Sequence, residues 1–127
     1  MIGTYGFSDL IVFMDSNGEI FKSIEGPKGI KKISKTESLA NLNIAYNQIT
    51  GDNQYVFALF NGNKMDKSNI LGSSGHFIRI FRINGEYIKT LDLKDNLANI
   101  CYDTDNKRII AISNDRENSI IYFDINF

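Results

Sequence analysis

The chain has 127 residues, of which 43% are hydrophobic and 23% charged, and its formal net charge is −1. This is the size of one ordinary domain that can bury a core. The near-neutral charge gives no long-range attraction to nucleic acid or to an anionic membrane. No apolar run approaches the roughly 20 residues that cross a bilayer. We therefore predict neither a nucleic-acid partner nor a membrane span.

The first residues and the single cysteine say little about the cellular compartment. Met1 is followed by IGTYGFSDL, which lacks a basic start and an apolar core, so we expect no signal peptide in this sequence. Cys101 is the single cysteine and cannot form a disulfide within the chain. The localisation stays undetermined.

The first predicted element is a β-hairpin. Residues 10–14 (LIVFM) form an apolar run that leads to Asn17-Gly18, and residues 19–24 return as a strand. Asn-Gly between apolar segments is a strong hairpin signal, and a type I′ turn there needs positive φ at both residues. We predict a hairpin with this type of turn.

Two further strands are predicted at residues 42–46 and 55–60, with a turn near residues 47–54. Gly26, Pro27 and Gly29 favour a loop before them. The segment YVFALF at residues 55–60 is apolar throughout, so a strand here needs cover on both faces.

The same pattern then returns along the chain. Residues 77–83 and 86–93 flank Asn84-Gly85 as a second hairpin, and strands follow at residues 97–102, 108–112 and 119–125. Internal repetition of this kind indicates a stacked or radial architecture. We expect residues 108–112 to be shielded on both faces, as residues 55–60 are, and Cys101 to be a buried, inert thiol.

Aligning the copies gives a four-stranded antiparallel unit with strands A to D. The predicted fold class is all-β, an incomplete β-propeller in one domain, 1–127. Its units are C-D at residues 8–25, A-B-C-D at residues 40–93 and A-B-C at residues 97–127. Repeated four-stranded antiparallel sheets are the blades of a β-propeller.

Three segments carry a resemblance to a known family: YVFALFNGN, IRIFRINGEYIKTLDL and NICYDTDNKRIIAISNDRENSIIYFDI. From about residue 42 onward the chain resembles the bacterial TolB-like six-bladed β-propeller proteins. The resemblance implies the C-terminal portion of such a protein, about two blades, and it concerns structure rather than catalysis. It also implies a family that is often exported or lipid-anchored in the bacterial envelope.

A closed propeller has at least four blades, so three explanations are open. The chain is a piece of a longer protein, or several copies complete a ring, or it is a small β-sandwich with a similar hairpin rhythm. The alignment lacks strands A and B before the first hairpin and D after residue 125. Open edge strands are templates for pairing with another chain. We predict self-association, in which the first hairpin of one copy completes the last unit of another.

The longest connections predict where a partner binds. The D-to-A loop at residues 25–41 and the B-to-C loop at residues 61–75 leave the same face of an up-and-down unit, and long irregular loops are commonly functional. We predict a non-catalytic binding or protein-interaction module without a cofactor, which holds a protein or glycan there. The alternative is a propeller-type hydrolase or lyase with its site on the same face. The candidate binding residues are Lys31, Lys32, Lys35, Asn61, Asn63, Lys64, Asp66, His76, Asn114 and Arg116.

Several patterns with possible chemistry are better explained as turns. Residues 15–19 and 103–106 look like calcium loops but lack the full spacing, and Asx residues are favoured in turns. Residues 72–76 (GSSGH) lack the lysine and the helix of a phosphate loop. His76 is the single histidine, so no histidine cluster is available within one chain. We predict no metal site.

Overall fold

The computed structural model describes residues 1–5, 8–25, 45–62 and 75–126. That part of the chain is all-β, as predicted, and contains no helix. Its strands form a three-stranded sheet, β1-β2-β3, and a six-stranded sheet, β4 to β9 in sequence order, with every neighbouring pair antiparallel. The strands are β1 Ile2–Tyr5, β2 Ser8–Met14, β3 Ile20–Glu25, β4 Tyr46–Gly51, β5 Tyr55–Phe60, β6 Gly75–Arg82, β7 Tyr87–Asp103, β8 Arg108–Ser113 and β9 Ile120–Asp124.

Both Asn-Gly sequences form hairpin turns, β2 to β3 and β6 to β7, but the predicted type I′ geometry is wrong. Gly18 and Gly85 have φ of 82° and 87°, whereas neither preceding asparagine is in the left-handed region. The Gly85 amide donates to the Arg82 carbonyl at 2.9 Å, and the Arg82 amide donates to the Glu86 carbonyl at 2.8 Å. This is a type I turn followed by a left-handed glycine, the other common way to close a short hairpin.

The predicted positions of three strands need correction. Strand β4 covers residues 46–51, most of which the sequence placed in a turn, and residues 42–44 lie outside the described part of the chain. Strand β1, which pairs with β2 in the position expected for strand B, is absent from the prediction. Residues 87–103 form one strand, β7, where a D strand and a separate A strand were expected.

Strand β7 stays continuous because it changes partner part-way along its length. Residues 87–92 pair with β6, and residues 97–103 pair with β8. Lys94, between the two halves, has a left-handed φ of 66°. The second half turns its free edge toward β4, where Gln48 Oε1 accepts the Ile100 amide at 2.7 Å and Thr50 Oγ1 accepts the Tyr102 amide at 3.1 Å. The six-stranded sheet is therefore curled.

The curl divides the described structure into three stacked layers. We call β1–β3 the first layer, β4–β6 with residues 87–93 the middle layer, and residues 97–103 with β8 and β9 the last layer. Alternate residues of a strand point to opposite faces of a sheet. The middle layer has a front face with Phe57, Leu59, Ile78 and Ile80, and a back face that includes Val56, Ala58, Phe60 and Phe81.

Each face of the middle layer is buried against a neighbouring layer. The front face packs against the last layer in one core cluster, where the rings of Phe57 and Tyr102 lie 4.4 Å apart. The back face packs against Ile11 and Phe13 of the first layer in a second cluster. Strand β5 is thus covered on both sides, as its apolar run predicted.

Strand β8 was also expected to be buried on both faces, and this prediction is wrong. Ile109 and Ala111 are buried against the middle layer, but Ile112, on the opposite face, is 44% exposed. Cys101 of β7 lies on that open face and is also exposed, so its predicted burial is wrong. Within the described residues, the last layer has a neighbour on one side.

Candidate functional site: a rim at one end of the layers

The start of β6, the bend of β7 and the end of β8 lie together at one end of the layers, whereas most of the two predicted binding loops, residues 25–41 and 61–75, lies outside the described residues. Gly75 at the start of β6 pairs with Leu97 of β7, which pairs in turn with Ser113 at the end of β8. We call this end the rim and define it as residues 61–62, 75–76, 92–96 and 113–119. The short turns lie at the opposite end, where the Ile83 amide donates to the Gln54 carbonyl at 2.9 Å.

An ion pair between β7 and the β8–β9 connection organises the rim. Arg116 donates through Nε and Nη2 to the two carboxylate oxygens of Asp95, the second at 3.0 Å, and Ser113 Oγ donates to the same carboxylate at 2.9 Å. The Asp95 side chain is 12% exposed, whereas the Arg116 side chain is 54% exposed. A bidentate contact of this kind fixes the plane of the guanidinium group. The buried carboxylate therefore holds an arginine that solvent can reach.

Each member of the Asp95–Arg116 pair stabilises the charged form of the other. The hydrogen bond from Arg116 lowers the pKa of Asp95 below its usual value, with a further contribution from Ser113. The same hydrogen bond raises the pKa of Arg116. Both groups are therefore charged at neutral pH, and Arg116 presents a permanent positive charge at the rim.

Asp115 makes a second connection between β7 and the β8–β9 connection. Its carboxylate accepts the backbone amide of Asn96 at 2.7 Å and the Asn96 side-chain amide at 3.3 Å. The Asn114 amide donates to the Asn96 carbonyl at 2.8 Å. Residues 113–116 are thus attached to the bend of β7 by side-chain and backbone bonds, which preorganises this part of the rim.

A smaller cluster lies beside it on β6 and β7. His76 Nδ1 is 3.1 Å from Asp92 Oδ1, and Lys94 Nζ donates to Asp92 Oδ2 at 2.6 Å. The hydrogen bonds from Lys94 and then His76 hold the pKa of Asp92 well below its usual range. The His76 ring also packs on Phe77, with ring centroids 4.0 Å apart. Pairs this exposed add little to stability, so the cluster matters chiefly as a charged surface.

The predicted binding residues divide into two groups. His76, Asn114 and Arg116 lie on the rim, and Asn61 lies there too but is buried, its amide donating to the Ala45 carbonyl at 2.8 Å. The remaining six lie outside the described residues: Lys31, Lys32, Lys35, Asn63, Lys64 and Asp66.

The acidic residues on the rim were not among the predicted binding residues. Asp92 contacts His76 and Lys94, Asp95 contacts Arg116, and Asp115 accepts hydrogen bonds from Asn96. None of the three was selected, because the prediction followed loop length and the predicted connection after residue 93 is short. The signal available was the pair of short polar segments KDN and SNDRE, which follow predicted strands at the same end of the unit.

The turn interpretation of the calcium-like segments agrees with the structure. Asp15 Oδ1 accepts the amides of Asn17 and Glu19, and the Asp103 carboxylate accepts from Asn106 and Arg108. In residues 1–5, 8–25, 45–62 and 75–126, no group of three or more His, Cys, Asp or Glu is placed to hold a metal ion. No helix in the same ranges is long and apolar enough to span a membrane.

A shallow groove of about 230 Å³ lies away from the rim, between the first layer and the β4–β5 turn. Its lining is mainly apolar and includes Ile2, Ile49, Tyr55 and Ile83. It has one acidic side chain, Asp52, whose Oδ1 accepts the amides of Gln54 and Tyr55. This carboxylate is used by the turn, so the groove has no evident reactive group.

Comparison with known proteins adds no constraint on the function. No protein-family model matches the chain, and no curated protein matches it.

Proposed function

We propose that this chain is a non-catalytic protein-interaction module built from blades of a TolB-like β-propeller, and that a partner protein binds at the rim. The observation that carries the binding proposal is the Asp95–Arg116 pair, in which a nearly buried carboxylate fixes a half-exposed guanidinium group. Arginine is enriched at protein interfaces and among the residues that dominate binding energy.

The propeller part of the proposal is supported by repetition of strand pairing. Strand β4 pairs with β5 from Tyr46 opposite Phe60, and β7 pairs with β8 from Leu97 opposite Ser113. Each pairing has an irregularity at its first step, at Asn47 and at Ala98. A repeated bulge is typical of one structural unit used twice, because bulges are conserved features of a fold.

The rim has the properties of a prepared binding surface. Arg116 uses two of its five N–H donors on Asp95, and its exposure leaves donors for an acceptor on a partner. The bonds from Asp115 and Asn114 to Asn96 hold the connection in place. A preorganised surface loses less conformational entropy on binding. A segment of a partner protein that brings a carboxylate or carbonyl acceptor to Arg116 fits this arrangement.

The test is a selection for peptides that need Arg116. A random peptide library displayed on phage is selected on the immobilised chain, and enriched peptides are measured against Arg116→Ala, Arg116→Lys and the turn-end control Thr104→Ala. We expect peptides that keep their affinity for Thr104→Ala and lose about tenfold or more with either Arg116 variant, because lysine cannot make the bidentate contact. Thermal unfolding of each variant establishes that it is folded.

Two results would contradict the proposal. Peptides that bind all variants equally would place recognition away from Arg116, and peptides lost with Thr104→Ala would place it at the turn end. If a glycan array gives Arg116-dependent binding and the peptide selection gives none, the ligand is a carbohydrate and the protein-partner proposal is wrong.

A further inference from the structure

The front face of the last layer, which is the face turned away from the middle layer, has an exposed apolar patch on β8 and β9. Arg108 lies beside this patch, with its guanidinium carbon 4.9 Å from the centre of the Tyr122 ring. Ile112, Ile120 and Tyr122 are 44%, 73% and 62% exposed, and all three point to the side away from the middle layer. Ile110 lies between them and pairs with Tyr122. Two neighbouring strands thus expose a continuous apolar surface, which in a folded protein commonly marks an interaction site.

The strand pairing identifies the residues of the middle layer that are equivalent to Ile110, Ile112, Ile120 and Tyr122. Ala58 pairs with Arg79 in the middle layer, and Ala111 pairs with Ile121 in the last layer. Taking these pairs as equivalent places Ile110, Ile112, Ile120 and Tyr122 at the positions of Phe57, Leu59, Ile78 and Ile80. The four middle-layer residues are all fully buried. The exposed surface is therefore a second copy of an internal interface.

The internal interfaces also show what kind of surface covers a front face. The front face of the middle layer is covered by the back face of the last layer, with Ala111 at its centre. The back face of the middle layer, with Ala58 at its centre, covers Ile11 and Phe13 on the front face of the first layer. Both contacts join a front face to a back face, and each back face has a small residue between larger ones.

The back face of the first layer has the same pattern. Gly3 pairs with Val12, so it stands where Ala58 and Ala111 stand in the other layers. Met14 follows a register shift in β2, as Phe81 does in β6, which makes the two equivalent. A Cβ on Gly3 would lie 3.2 Å from Val12 Cγ2 and 3.6 Å from Met14 Cε. The three residues lie together, but Val12 is buried and Gly3 and Met14 are half-buried, so a second copy would reach this face at Met14 and at the exposed Ser23, which pairs with Val12.

We propose that the front face of the last layer binds the back face of the first layer of a second copy of this chain, with Ile120 and Tyr122 on one copy against Met14 and Ser23 on the other. The contact joins two different surfaces, so it is heterologous and builds a ring or an open stack rather than a symmetric dimer. The front-to-back packing occurs twice within one chain, between the first and middle layers and between the middle and last layers. The proposed contact repeats this packing between copies. It does not depend on the rim or on what the rim binds.

The experiment uses one variant for each side of the contact. Ile120→Glu places a charge on the front face, and Met14→Glu places one on the back face. Sedimentation velocity over a range of protein concentrations gives the association of each variant alone and of a mixture of the two. We expect the wild type to form oligomers, each variant alone to associate about tenfold or more weakly because an unpaired charge is costly to bury, and the mixture to recover a one-to-one complex.

The mixture is decisive because each variant keeps one intact surface. Only a front-to-back contact lets an intact front face on the Met14→Glu copy meet an intact back face on the Ile120→Glu copy. Thr104→Glu, at the turn end, is the matched control and should associate like the wild type. If Met14→Glu does not fold, Ser23→Glu replaces it, since Ser23 pairs with Val12 on the same face and is exposed.

Three outcomes would overturn the proposal. A wild type that stays monomeric at high concentration has no such contact. Loss of association with Ile120→Glu but not with the back-face variant indicates a symmetric contact between two front faces. Association that neither variant weakens indicates pairing through strand edges. Arg116→Ala should leave association unchanged, so failure here is separate from failure of the rim as a binding site.

Discussion

Strands β5 and β8 have similar apolar sequences at equivalent places in their layers, yet their surroundings differ. All but the first residue of β5 are buried, whereas in β8 burial alternates and Ile112 is largely open. The difference arises because β5 has a layer on each side and β8 has one within the described structure. An apolar strand therefore indicates which surfaces suit burial, and its position in the stack decides which of them are buried.

The largest predicted effect contrasts two equivalent isoleucines. Ile78→Ala should lower the free energy of unfolding by about 3 kcal/mol, because it removes three side-chain carbons from a fully buried site. Ile120→Ala should cost less than about 0.5 kcal/mol, because that side chain is exposed. Urea denaturation at low protein concentration measures both. Equal costs would show that the last layer is covered in the monomer.

The next prediction compares Gln48, which joins the middle layer to the last layer, with its equivalent Asn99. Gln48→Leu should cost about 1–2 kcal/mol, because it leaves the Ile100 amide without its acceptor in a partly buried site. Asn99 occupies the equivalent place on the last layer and is exposed, so Asn99→Leu should cost less than about 0.5 kcal/mol. Denaturant titrations of the two variants test this. A negligible effect of Gln48→Leu would mean that the contact adds nothing to the stack.

Substitution of either hairpin glycine should cost a similar amount of stability. Gly18→Ala and Gly85→Ala should each cost about 1 kcal/mol, because both glycines have a left-handed φ that alanine adopts with strain. At Gly85 a new Cβ would also lie 2.5 Å from Lys22 Cδ, but that side chain is flexible and can move. Thermal melts of the two variants provide the measurement. A Gly85 variant that is far less stable than its counterpart would show that Lys22 is held in place.

The smallest effect is a pH dependence at the rim. The pKa of Asp95 is lowered from 3.8 by the hydrogen bond from Arg116, so its ionised form stabilises the folded state above that pH and the contribution is lost as the pH falls through the folded value. Asp95→Asn lacks the titrating group. The wild type should be more stable than this variant at neutral pH, and the difference should shrink below about pH 3.8. Thermal melts across acid pH measure it, and a constant difference would contradict it.

The sequence predicted the all-β class, both hairpins and the two-sided burial of β5, because these depend on local apolar patterns and on Asn-Gly turns. It misplaced β4 because Asn47, Gly51, Asp52 and Asn53 favour a turn, although the residues between them, including Gln48 and Thr50, lie in the strand. The role of Gln48 and Thr50 as acceptors for amides of β7 appears only when the curl brings together residues 52 positions apart. The type I′ prediction failed because the same dipeptide also fits a type I turn with a left-handed glycine.

Some residues of the rim were selected from the sequence, but their partners were not. His76, Asn114 and Arg116 were selected, whereas most of the two long loops lies outside the described residues. The carboxylates that contact His76 and Arg116 are Asp92 and Asp95 of β7, and Asp95 and Arg116 are 21 residues apart. A local reading of the chain has no means to pair residues at that separation. The open face of the last layer was missed because identical patterns predicted identical burial.

The shared strand β7 has a consequence for how the molecule loses its structure. One 17-residue strand pairs with β6 along one half and with β8 along the other. Separating the middle layer from the last therefore requires this strand to bend or to lose its pairing with one of the two partners. These two layers should open as a single cooperative unit, with their amides exchanging with deuterium at similar rates. Among the described residues no backbone hydrogen bond joins β1–β3 to the six-stranded sheet. The amides of β1–β3 should therefore exchange first, which would identify their contact with the middle layer as the least stable part of the fold.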